Sequence, residues 1–301
     1  MNLWILHADT PFRMYWENRC FSDPALHINR AALTAFEGAR VAMAFWADRR
    51  LDDNAAWEAF LAMKADADRK LRGVKGLSIL FCLEDLRILL PDPLPRLTRL
   101  MQEQIRILTP FWQGENRLGG AHDSSAPLTP EGKALLDAAL RLGFYLDVSH
   151  AGHRSFRDIA ENAYAHAAPL FATHSNFAAV CPHTRNLSDE EALAIQATGG
   201  LIGLSLVPAH LGDPADEAAL LRHIDHGLTL GLQDHLALGC DFDGTDPLAC
   251  GFSGVRDLAA LYPRLTKRYD PRFLSKLFFE NAERVLGGCF VSATTSQQEK
   301  G

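Results

Sequence analysis

Apolar residues along the chain fall into eight short runs, and between most of them the spacing changes to a helical period. The first run, Leu3-Trp4-Ile5-Leu6, reads as a buried strand ending before Pro11, a residue that cannot continue a central strand. The others are Ala39 to Trp46, Leu77 to Leu83, Ile105 to Leu108, Phe144 to Ser149, Pro169 to Thr173, Leu201 to Val207 and Leu236 to Cys240. Thr10 to Thr34 reads as loop and then helix. Within Leu51 to Arg72, Trp57, Phe60, Leu61 and Met63 recur at helical spacing, and Gly73 and Gly76 close the element. Thr129 and Pro130 supply an N-cap and a first-turn proline for a helix ending at Gly143. Further helices are expected near Phe156 to Ala165, after the capping box Ser188-Asp189-Glu190-Glu191, and over Glu217 to Leu230, Val255 to Lys267 and Pro271 to Leu286.

Eight buried-type strands joined mostly by helices predict an α/β fold, the (β/α)8 TIM barrel. A doubly wound open sheet is the rival, but no GxGxxG or Walker sequence follows any of the runs. The 301 residues, 48% of them hydrophobic, suit one barrel domain over residues 1–288. Residues 289–301 read as a polar tail, expected to be disordered.

The formal charge of -7, with no basic cluster, speaks against a nucleic-acid partner. No apolar stretch reaches the roughly 18 residues that span a membrane, and the first residues lack the pattern of a signal peptide. The six cysteines are scattered without a CxxC pair and read as thiols. The expectation is a cytoplasmic protein without a membrane partner.

Polar residues close the apolar runs. His7 and Asp9 follow the first, Glu84 the third, His150 the fifth, His174 the sixth and Asp241 the eighth. Alternation along a strand puts His7 and Asp9 on the same side. In a barrel every strand C-terminus opens on one face, so six side chains distant in sequence converge there. Three imidazoles and three carboxylates suit two zinc-like ions sharing a carboxylate, with other divalent metals, manganese included, also possible. A water between two cations ionises near neutral pH and becomes a nucleophile.

The chain also resembles the membrane (renal) dipeptidase family of the amidohydrolase superfamily, from about His7 to Leu286. The resemblance rests on Leu6-His7-Ala8-Asp9-Thr10, Leu128 to Gly132, Leu146-Asp147-Val148-Ser149-His150, Ala172-Thr173-His174-Ser175, Arg185-Asn186, Gly239 to Gly244 and Asn281 to Val285. It implies one zinc on His7, Asp9 and Glu84 and a second on Glu84, His150 and His174, with Glu84 bridging. It further implies a bridging hydroxide that attacks a dipeptide's carbonyl, Asp241 handling protons and holding the amino end, Arg185 pairing with the terminal carboxylate, and a homodimer. A guanidinium suits that last task because it binds carboxylates bidentately and keeps its charge.

Two stretches depart from the family. Glu84-Asp85-Leu86 stands where Glu-Gly-Gly is usual, with Asp85 expected to point away from the bridging ligand. Leu108 to Asn116 stands where many members carry Leu-Thr-His-Asn, so this chain resembles a bacterial branch with Trp112 at the place of the histidine that polarises the scissile carbonyl. His122, a lone histidine further along the loop, is not expected to replace it. His223 and His226 are expected on a helix surface and His153 at a helix start. His27, His166, His183, His210 and His235 belong to no constellation in the sequence. Metal chemistry of this kind also leaves open a lactonase or deaminase, or a barrel that binds metal without turnover.

Overall fold

The apolar runs become eight strands in a computed structural model that describes residues 1–290. They are β1 (Asn2–Ala8), β2 (Gly38–Trp46), β3 (Leu77–Glu84), β4 (Ile105–Thr109), β5 (Tyr145–Asp147), β6 (Leu170–Ala172), β7 (Leu201–Ser205) and β8 (Leu236–Phe242). Each pairs in parallel with the next, and β8 returns to β1 through Ile5–Leu238 and His7–Cys240. The sheet therefore closes into a (β/α)8 barrel, with helices packed around it.

Two apolar layers hold it together. Side chains alternate across each strand, so Leu3, Ile5, Val41 and Met43 join the layer that contains helix residues such as Phe60 and Met63. A separate cluster takes the alternate positions: Trp4 and Leu6, Ala42 and Ala44, Leu80 and Cys82, with Ile107 and Phe171. This second set fills the barrel interior, as the fold requires. Phe290 closes the lower end, its ring 5.7 Å from that of Trp4 and beneath the Arg40 guanidinium at 4.6 Å. The rest of the expected polar tail, residues 291–301, lies outside the described residues.

Several local signals act as read. Thr129 Oγ1 accepts from Gly132 N, and Ser188 and Glu191 form a reciprocal capping box. Two segments differ. Thr10–Trp16 is helical at once rather than after a loop, because Pro11 falls in its first turn, where a fixed φ favours the helix. Pro271 to Leu286 is not one regular helix: a π-turn over Lys276–Glu280 interrupts it. The widened turn precedes Asn281, whose Nδ2 donates to the carbonyls of Gln233 (3.0 Å) and Leu236 (2.8 Å) and so ties the helix to the approach to β8. Among the described residues no helix is long and apolar enough to cross a membrane.

Candidate metal centre

The strand ends bring His7, Asp9, Glu84, His150, His174 and Asp241 into one cluster. His7 Nε2 lies 3.3 Å from Asp9 Oδ2, 3.4 Å from Glu84 Oε2 and 3.8 Å from Asp241 Oδ1. Glu84 Oε1 lies 2.8 Å from His150 Nε2, which lies 3.0 Å from His174 Nε2. Each oxygen of the Glu84 carboxylate thus faces a different group of donors, one with His7 and Asp9, the other with His150 and His174.

Simple alternation does not bring His7 and Asp9 together. Trp4 and Leu6 face inward, so strict alternation would send His7 outward. The register of β1 shifts between Ile5 and Ala8 against β2 and between His7 and Ala8 against β8, and such an irregularity re-aims a side chain. Asp9 lies beyond the strand, at the N-cap of helix Thr10–Trp16. On β8 the backbone turns sharply as well, with Cys240 at φ 60° and Asp241 at φ 61°. Left-handed conformations are costly for residues other than glycine and gather at functional sites.

Hydrogen bonds on the far side of the rings decide which nitrogens carry protons. His150 Nδ1 donates to the Trp112 carbonyl at 2.6 Å. The Thr173 hydroxyl donates to Asp147 Oδ2 (2.6 Å), leaving Oγ1 to accept from His174 Nδ1 (2.9 Å) and His7 Nδ1 (3.2 Å). Burial and then the Arg185 charge lower the pKa of His150; burial and then His7 lower that of His174 strongly. Both rings are therefore neutral, with lone pairs on Nε2 directed at each other and, from His150, at a carboxylate oxygen. Three acceptors converge there with no proton to share. A cation resolves that arrangement, and the donor set of imidazole nitrogens and carboxylate oxygens fits zinc or a similar divalent ion.

The charges agree. Burial opposes a proton on His7, but Asp9 and Glu84 outweigh it and raise its pKa well above the usual value, so a proton sits where a cation would serve. Burial alone would raise Glu84, yet His150 and His7 hold it below the usual carboxylate range. Burial, and then Asp9 and Glu84, push Asp241 up to about 7.

Asp147 also falls within metal-binding distance of His7 and His174, but its carboxylate is already committed. Oδ1 accepts from Ser149 N, Ser149 Oγ and Thr173 N, and Oδ2 from the hydroxyls of Thr109 and Thr173. It holds the ligands' supports rather than a metal.

The remaining predicted positions surround this centre. Arg185 is 5% exposed and lines an adjoining lobe with His150 and Asp241; its Nη1 has no hydrogen-bond partner among the described residues. Burial lowers its pKa to about 10, against the pull of Asp241, Glu84 and Asp147. Trp112 packs on Trp46 with ring centroids 4.8 Å apart, and with Phe12 these make an aromatic wall beside the cluster. His122 enters the Arg185 lobe, its ring 6.1 Å from His150 and its Nδ1 2.9 Å from Thr184 Oγ1. Asp85 turns away at φ 68° toward Arg87 and Asn116.

Three histidine expectations need correction. His223 is fully buried, not on the surface: Nδ1 accepts from Phe177 N (3.2 Å) and Nε2 donates to the Leu211 carbonyl (3.0 Å). His183 and His210, which stand in no sequence constellation, meet with ring centroids 4.7 Å apart in the Arg185 lobe. His27 pairs with Asp243, accepting from Asp243 N at Nδ1 while its own N–H donates to Asp243 Oδ1. Sequence spacing carried no signal for these pairs, whose members are 27 and 216 residues apart. Asp147 and Thr173, by contrast, sit inside the quoted motifs beside their ligands.

Known proteins share this architecture. Dipeptidase AC, a metallopeptidase of family M19, superimposes with a TM-score of 0.86 at 25% identity, over 96% of this chain and 99% of that one. A metallopeptidase from Rhodobacter sphaeroides, solved with a phosphinate mimic of the dipeptide L-Ala-D-Ala, gives 0.83 at 25% identity over 95% and 99%. In sequence, an uncharacterized Klebsiella pneumoniae protein from the pqqA 5' region is 37% identical over 202 residues, 60% of this chain and 71% of its own. Dipeptidase tcpJ of Claviceps purpurea is 29% identical over 163 residues, 53% of this chain and 36% of its own. The pattern defining the membrane dipeptidases, peptidase family M19, matches residues 53–299, and the chain belongs to that family.

Proposed function

We propose that this metal-dependent dipeptidase holds two zinc ions, one on His7, Asp9 and Glu84, the other on Glu84, His150 and His174. The observation that carries the reading is the split carboxylate of Glu84, one oxygen toward each donor group, beside nitrogens left facing one another without a proton. Bound there, the pair of cations would supply Lewis acidity that ionises a water near neutral pH and polarises a carbonyl.

The protein's own groups do the rest. Arg185 binds the dipeptide's terminal carboxylate, for which it has a buried and unpartnered N–H group. Asp241 faces both the metal cluster and the Arg185 lobe. It holds the substrate's amino end, takes up the proton released as water attacks and delivers it to the departing amine. Trp112, Trp46 and Phe12 exclude water on the opposite side.

The test is a metal analysis followed by a dipeptide screen. Zinc-reconstituted protein is expected to hold close to two ions per chain and to cleave dipeptides, and Asp241→Asn to keep the metal but lose turnover. One ion per chain or fewer overturns the dinuclear site. Turnover of lactones or deamination of amines without peptide cleavage overturns the reaction.

A further inference from the structure

We propose that His210 and His183 recognise the side chain of the substrate's C-terminal residue and select dipeptides in which that residue is acidic. The inference rests on the dipeptidase reading and deepens it, because that reading uses only Arg185 in this lobe.

The lobe has more room and more hydrogen-bond capacity than one carboxylate needs. Its volume is about 260 Å³, the share of roughly eight or nine waters at about 30 Å³ each. Its lining includes fixed donors on Arg185 and His183, beside His210, Gln113 and Thr245, which can either donate or accept. Arg185 Nη1 is buried without a partner, and a guanidinium only donates. His183 Nδ1 accepts from Arg185 N at 3.1 Å, so the proton of this neutral ring lies on Nε2, a donor. His210 is 9% exposed and its Nδ1 has no partner among the described residues.

The backbone holds His210 in place, since its carbonyl accepts from Asn176 Nδ2 (3.3 Å) and Asn186 Nδ2 (2.8 Å). Burial, and then the charge of Arg185, push His210 down to about 2 and His122 to about 4. The rings are thus neutral at pH 7, leaving Arg185 as the permanent cation of the lobe. Asp241 is the carboxylate in its wall, and that group is committed to the amino end.

The fixed donor of His183, and a neutral His210 ring free to place its proton on the unpartnered Nδ1, suit a ligand that only accepts. A side-chain carboxylate does so in every hydrogen bond. An alkyl side chain would leave His210 Nδ1 buried and unpaired, and sites built to pair with a polar group discriminate strongly against substrates that lack it.

The experiment compares Ala-Asp and Ala-Glu with Ala-Ala and Ala-Leu, in both stereochemistries of the second residue, on the zinc-reconstituted protein. The acidic substrates are expected to exceed the neutral ones at least tenfold in kcat/KM. His210→Phe and His183→Leu should each contract that ratio toward one, chiefly through KM. In parallel, calorimetry measures succinate against butyrate, a dianion and a monoanion of equal chain length. Succinate is expected to bind at least tenfold more tightly, with the advantage lost in either variant. Cleavage without an acidic preference, or a preference that both variants retain, overturns the inference and leaves the dipeptidase reading standing. If no dipeptide is cleaved, that reading falls and calorimetry decides: equal binding of the two acids overturns the histidine site, and a variant-sensitive preference for succinate supports it. Should either variant fail to fold, the other and the wild-type comparison decide.

Discussion

The Thr173 hydroxyl stands 2.6 Å from Asp147 Oδ2, and this contact fixes the tautomer of two histidines at once. Its proton goes to the carboxylate, so Oγ1 accepts from Nδ1 of both His7 and His174, which leaves each Nε2 free to face the cluster. One histidine belongs to each proposed zinc. A hydroxyl beneath the barrel mouth therefore ties the two halves of the centre together.

Thr173→Val removes that hydroxyl while keeping the shape. Supporting hydrogen bonds of this kind are typically worth 10–100-fold in metal affinity. We expect zinc affinity to fall by about that factor at both sites, and Thr173→Ser to restore most of it. Chelator competition measures the affinities. A loss confined to one site, or none, would show that the hydroxyl does not orient both rings.

Gly244 packs against the cluster so closely that a methyl group in its place would strike Asp9 Oδ2 and Asp241 Oδ1. Both carboxylates are short, and Asp9 is buried, so they move only by leaving their donors. Gly244→Ala is expected to lower kcat/KM at least a hundredfold and to reduce bound zinc, with the circular dichroism of the fold unchanged. Full activity in this variant would mean that the two carboxylates are not held where the chemistry needs them.

Arg185→Ala should lower kcat/KM on dipeptides by two orders of magnitude or more, because a buried carboxylate would lose its charged partner. Dipeptide amides, which lack that carboxylate, should lose far less. Equal losses for the two substrate types would remove Arg185 from the role.

The barrel and most of its centre are legible in the sequence because both follow from strand ends. A buried run is marked by its own residues, and the fold then carries every run's last polar residue to one face. His150 and His174 are found this way, as is Glu84 despite the unusual Asp85-Leu86 after it. The bend that turns His7 inward is not legible, since it depends on the register of β1 against two neighbours. Nor are the histidines that act in pairs. His210 takes its place from side-chain bonds to its carbonyl by Asn176 and Asn186, and His27 from a partner near the other end of the chain. Such relations exist only once the barrel has closed.

His223 makes a prediction about stability rather than catalysis. Its ring bridges Phe177 N and the Leu211 carbonyl and is fully buried, and burial pushes its pKa down to about 4. The folded protein thus refuses a proton that the unfolded chain accepts near 6.5. The stability from the neutral ring is fully present above pH 6.5 and is lost as pH falls through the window down to about 4. Linkage puts the loss at about 3 kcal/mol. His223→Gln keeps an acceptor and donors but does not titrate. Denaturant unfolding between pH 7 and pH 4 should show a pH dependence flatter than wild type by up to that amount, whatever the other groups contribute to both curves. The variant starts lower at pH 7, since an amide does not reproduce both ring contacts, and the two curves converge toward acid. Parallel curves would mean that His223 does not resist protonation in the folded protein.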